Sequence, residues 1–134
     1  MIAVDTNVLV RLLTGDDREQ AATAQNLFAA QQIWISKTVL LETGWVLGSL
    51  YEFDQSSVRE AFTKLLGLRN VQVEDEPSVA AALALTTHGI ELADAMHVSS
   101  RPHGAPFLTF DRSLIRRAKR AGTANVSGIP YKKR

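Results

Sequence analysis

Four carboxylates interrupt hydrophobic segments of this chain. Asp5 follows Met1-Ile2-Ala3-Val4, Glu42 lies within Val39-Leu40-Leu41-Glu42-Thr43-Gly44-Trp45, Asp94 within Leu92-Ala93-Asp94-Ala95-Met96, and Asp111 follows Phe107-Leu108-Thr109-Phe110. An ionised carboxylate is rarely buried without a partner, because desolvating the charge is costly. Four in such settings point to one shared partner, a divalent cation. Oxygen-only ligands suit magnesium or manganese better than copper or structural zinc. Each acid also has a modest competing role: Asp5 and Asp94 as helix caps, and Asp111 as the start of the last helix. Glu42 is harder to dismiss, since a purely structural carboxylate in an apolar helix would need a dedicated cation.

The elements that must position these acids are short strands alternating with longer helices. Strands are expected at 2–4, 33–35, 71–73 and 105–109, with a possible edge strand at 125–127. A helical turn is expected over 8–13. Asp16 or Asp17 can cap a helix running to residue 30, with Ala21, Ala24, Leu27 and Phe28 inward. Ser36 or Thr38 starts an apolar helix to about residue 50. Ser57-Val58-Arg59-Glu60 has capping-box form ahead of the stripe Val58, Ala61, Phe62, Leu65 and Leu66. Pro77 suits the first turn of a helix through residue 86, and Gly89 closes that region. Further helices are expected over 92–99 and 112–121, the latter closed by Gly122. The pattern predicts a single three-layer α/β domain over 1–134, with a mainly parallel central sheet flanked by helices. The carboxyl ends of parallel strands are the usual ligand-binding edge, and all four acids fall on that side.

Composition narrows the chemistry. The 134 residues contain no cysteine, which excludes disulfides, thiolate catalysis and cysteine-ligated zinc. The amino terminus lacks the pattern of a secretory signal, and no apolar stretch approaches the ~20 residues that span a bilayer, so a cytoplasmic protein is expected. Net charge is +1, unevenly spread: Arg112, Arg116, Arg117, Lys119, Arg120, Lys132, Lys133 and Arg134 follow the last acid, Asp111. Such a stripe suits a polyanion, although a solvated final helix would carry the same charges. Arg112, Arg116, Lys119 and Arg120 are the candidates to grip the phosphates of such a polyanion, positioning it without reading much sequence.

The opening Ile2-Ala3-Val4-Asp5-Thr6-Asn7-Val8-Leu9, the Glu42 helix, the Asp94-Ala95-Met96-His97 segment and the late Leu108-Thr109-Phe110-Asp111 resemble the PIN-domain ribonucleases. They are most similar to the VapC-type toxins of bacterial toxin–antitoxin pairs. The resemblance covers nearly the whole chain. It implies a metal-dependent endoribonuclease using Mg²⁺, with Mn²⁺ as a possible substitute. Asp5, Glu42, Asp94 and Asp111 would form the acidic quartet, Asp5 and Asp94 being the surest direct ligands. It places Thr6, Asn7 and Thr109 beside the site, where they could orient water or carboxylates, although local capping competes for each. It further implies homodimerisation and inhibition by a small cognate antitoxin. Trp45, Leu47, Tyr51, Phe53 and Phe62 are candidates for those surfaces, with core packing competing for all five. His97, one turn beyond Asp94, is expected at the cleft edge, and His88 and His103 in surface or loop positions.

Two rivals remain open on sequence grounds. One is a phosphatase with Asp5 as nucleophile, although Asn7 stands where that chemistry wants a second acid. The other is a noncatalytic nucleic-acid-binding module holding a structural ion. Aromatic residues are few and not interleaved with the basic ones, which argues against a base-stacking platform.

Overall fold

A computed structural model describes residues 1–131 of the chain. Lys132, Lys133 and Arg134 of the basic stripe lie outside the described residues. Three parallel strands, β1 (Ile2–Ala3), β2 (Ile33–Ile35) and β3 (Val71–Val73), pair in the order β1-β2-β3. Ile2 is in register with Ile33, and Ile33 with Val71. Two further strands, β4 (Phe107–Thr109) and β5 (Val126–Gly128), form a separate parallel ladder with Phe107 opposite Val126. The expected edge strand is therefore real, but it pairs with β4 in a ladder of its own. Helices flank these strands to give the three-layer α/β architecture: α1 (Thr6–Thr14), α2 (Arg18–Ala30), α3 (Lys37–Leu50), α4 (Gln55–Leu66), α5 (Glu76–Thr86), α6 (Leu92–Ser99) and α7 (Arg112–Arg120).

The interior is aliphatic. Ile33, Ile35, Leu40, Leu47, Phe62, Val79 and Ile90 are almost wholly removed from water, and Leu114 joins α7 to the same cluster. Burial of this kind is the main stabilising term of the fold. Leu47 and Phe62, considered above as docking residues, belong to this core. Trp45, two residues before Leu47, lies on the opposite face of α3 and is 67% exposed.

Most helix starts are capped by the expected residue types. Asp17 accepts from the Gln20 backbone N–H at 3.0 Å, and Ser36 accepts from Val39 N–H at 3.2 Å. The α4 start differs from expectation. Asp54 caps it by accepting from Ser57 N–H at 2.8 Å, so Ser57 lies within the first turn and starts no capping box. That backbone bond, with the Ser57 and Ser56 hydroxyls, holds the Asp54 carboxyl below the ordinary aspartate value. Asp54, three residues before the apparent box, starts the helix earlier and accepts from its orphan N–H groups, so Ser57 has no cap to make.

A candidate active site at the strand exits

Asp5 stands where β1 gives way to α1. Its backbone is extended (φ −100°, ψ −178°) and its Oδ1 accepts from Asn7 N–H at 3.1 Å, so it is the α1 cap. The cap uses one carboxylate oxygen, and the side chain is exposed. Thr6 is buried, and its hydroxyl donates to Oε1 of Glu42 on the second turn of α3. Asp5 and Glu42 are thereby tied together through adjacent residues at the end of β1. Asp5 and Asn7 also line an open cleft of about 530 Å³ between α1 and α2, whose walls include Val8, Arg11, Gln20 and Leu27.

Asp94 occupies the first turn of α6 and is half-buried. The helix Asp94 rides on presses against α3. A Cβ added at Gly44 would lie 2.7 Å from Leu92 Cδ2, closer than real Cβ atoms approach. Gly44 thus leaves room on α3 for the Leu92 side chain at the start of the helix that bears Asp94. Asp111 follows β4 and caps α7, its Oδ1 accepting from Leu114 N–H at 3.1 Å, while its own N–H donates to Thr109 Oγ1 at 3.0 Å.

The electrostatic setting separates these acids from others at the same sheet edge. Glu74 and Asp75 follow β3, but Lys37 claims both: its backbone N–H donates to Glu74 at 2.9 Å and its ammonium to Asp75 at 2.8 Å. The Lys37 hydrogen bond, chiefly, holds the Asp75 carboxyl below its ordinary value. The ion pairs among the described residues are Arg11–Asp16, Lys37–Asp75 and Lys64–Glu60, and they leave out Asp5, Glu42, Asp94 and Asp111. Among the described residues, then, these four acids have no ion-pair partner.

Two expectations from the sequence need correction. Asp5, Glu42 and Asp111 are exposed and only Asp94 is half-buried, so desolvation does not force a shared cation on them. The apolar residues around Glu42 mislead because Leu40, Thr43 and Leu47 turn inward while Glu42 and Trp45, three apart, face out. Nor, among the described residues, do three acidic or histidine side chains converge closely enough to cage an ion. The donor set still fits magnesium by its chemistry. Mg²⁺ keeps several waters and is ordinarily bound through one or two carboxylates plus substrate phosphate, without an all-protein cage.

The family model for the PIN domain matches residues 2–120, which span every element from β1 to α7. The chain belongs to the PIN-domain family. Membership of this superfamily supports a general nuclease role. No curated protein and no solved structure matches the chain. No helix among the described residues is long and apolar enough to cross a membrane.

The remaining sequence candidates fall in varied places. His97, His88 and His103 are all exposed. On α7, Arg112, Arg116, Lys119 and Arg120 are exposed and share one face by their 4-3-1 spacing. Arg117 has a different task, donating from Nη1 to the Gly89 carbonyl at 2.7 Å and tying α7 to the turn after α5. Sequence reasoning missed the exposed pair Phe110 and Tyr131, whose ring centroids lie 5.6 Å apart. The available signal was strand alternation: Leu108 and Phe110 share a face opposite Phe107 and Thr109.

Proposed function

We propose that this PIN-domain protein is a metal-dependent endoribonuclease, acting in the cytoplasm as the toxin of a bacterial toxin–antitoxin pair. The observation that carries the reading is a set of four carboxylates, on a PIN fold, that form no ion pair with a lysine or arginine among the described residues. Asp5 and Asp94 would hold Mg²⁺, or Mn²⁺ in its place, with Glu42 and Asp111 completing the negative surface. A bound divalent ion supplies Lewis acidity, lowering the pKa of an attacking water and offsetting charge on the phosphoryl oxygens.

The chain's own residues do the positioning. Thr6 fixes the Glu42 carboxylate, Asn7 N–H orients Asp5, and Thr109 holds the backbone that presents Asp111. Arg112, Arg116, Lys119 and Arg120 would draw the phosphate backbone toward the acids. Hydrolysis of the bond to the leaving 3′ oxygen gives 5′-phosphate and 3′-hydroxyl ends. Trp45 and Leu50, both exposed on α3, offer apolar surface for a second copy or an antitoxin.

Purified protein with Mg²⁺ or Mn²⁺ is expected to cut total cellular RNA at discrete sites. D5N and D94N should each lower the rate by at least ~10²-fold, since electrostatic terms of this kind carry several kcal/mol. If both variants cut like wild type, the nuclease assignment fails. Mn²⁺ affinity supplies a separate readout: the D5N/D94N double variant should lose it.

A further inference from the structure

Building on the ribonuclease reading, we infer that Phe110 and Tyr131 form a base-stacking subsite beside Asp111, where an unpaired nucleobase of the bound strand lies against an open aromatic face. Phe110 is 67% exposed and Tyr131 63%. Single exposed apolar residues need no explanation. Here two rings from separate parts of the chain meet edge to face, with 86° between their planes and 5.6 Å between centroids. That contact steadies each ring and leaves much of both accessible.

The neighbourhood identifies the occupant. Phe110 immediately precedes Asp111, and Arg112 immediately follows it at the head of a helix whose Arg112, Arg116, Lys119 and Arg120 face outward. An apolar ring next to a candidate catalytic acid and the head of a cationic helix matches a ligand that is flat and apolar in one part and polyanionic in the next. A nucleic-acid strand has that alternation: base, then phosphate. Stacking tolerates any base, because each presents a π-face, so the subsite would place the strand without selecting a sequence. The sheet geometry favours this use, since Phe107 and Thr109 turn inward while Leu108 and Phe110 turn out.

The experiment measures binding of a short fluorescein-labelled oligouridine to the full chain by anisotropy, in EDTA so that nothing is cut. F110A should weaken binding roughly 5- to 150-fold, the range for loss of one base–aromatic stack. F110L keeps apolar bulk without a π-face and should fall with F110A. F110W should bind like wild type, and the oligomer should quench the added indole. Affinity for a blunt RNA duplex should be the same in wild type and F110A. Wild-type affinity for oligouridine in F110A or F110L would overturn the subsite. So would an F110A variant that binds RNA normally but loses self-association, which would assign the rings to a protein contact. A wild type that binds oligouridine in this way yet cuts no RNA would retain the subsite and remove the nuclease reading, so the two failures are distinct.

Discussion

Thr6 is the residue on which the two halves of the β1 exit depend. It is buried between Asp5, its neighbour in sequence, and Glu42, its partner across space, and its hydroxyl joins α1 to α3. A hydroxyl donating to a carboxylate gives a charge-assisted hydrogen bond, stronger than a neutral one. T6V preserves the side-chain shape and removes the donor, leaving Glu42 free to rotate into solvent. The expected stability loss is about 1.5–3 kcal/mol, read by urea titration. RNA cleavage is expected to fall by ~10-fold or more, and T6S should restore most of it. A T6V protein that loses stability but cuts normally would make Thr6 a structural link alone. The acids themselves were legible in the sequence as charges at strand exits, and Thr6 as a small polar neighbour. Their exposure was not legible, because a strand of two residues followed at once by a helix buries little of what precedes the turn.

At the scale of elements, α3 shows why hydrophobic composition alone misleads. Its sequence is apolar nearly throughout, yet only Leu40, Thr43 and Leu47 are fully buried, and Trp45 and Leu50 face water. The helix boundaries were readable from caps and breakers: Ser36 before α3, Asp17 before α2, and Gly122 after α7 all stand at or beside the expected ends. The division of the strands into ladders of three and two was not readable. It depends on which edges pair, and three-residue strands carry too little pattern to specify that. Nor could a sequence reveal that Gly44 accommodates the Leu92 side chain of α6. G44V tests that contact. Its branched side chain must displace the end of the Leu92 side chain and crowd Val58 and Phe62 behind it, an overpacking cost of about 1–3 kcal/mol. Thermal denaturation should register the loss. Because α6 carries Asp94, Mn²⁺ affinity should weaken as well, whereas a core change away from α6, such as V71A on β3, should leave that affinity in place.

Across the whole molecule the decisive quantity is the distribution of charge, since a net +1 conceals it. Among the described residues, acids stand without ion-pair partners at the exits of β1 and β4, in the second turn of α3 and in the first turn of α6. The cations of α7 project from the neighbouring ladder without ion-pair partners among the described residues. Part of that positive charge has a structural use, because cations in the last turn of a helix complement its dipole and Arg117 is committed to Gly89. The structure therefore divides a stripe that looked uniform in the sequence: Arg117 anchors, while Arg112, Arg116 and Arg120 are free to meet a polyanion. If each neutralises one phosphate of a single strand, the R112A/R116A/R120A variant should flatten the plot of log affinity against log salt by about 2, at ~0.7 per contact. R117A should instead lower stability and leave the salt slope near that of wild type. Oligouridine binding across a salt series, in EDTA, separates the two classes. An unchanged slope in the triple variant would return α7 to the role of an ordinary solvated helix, and an R117A slope equal to the triple variant's would dissolve the division between anchor and grip.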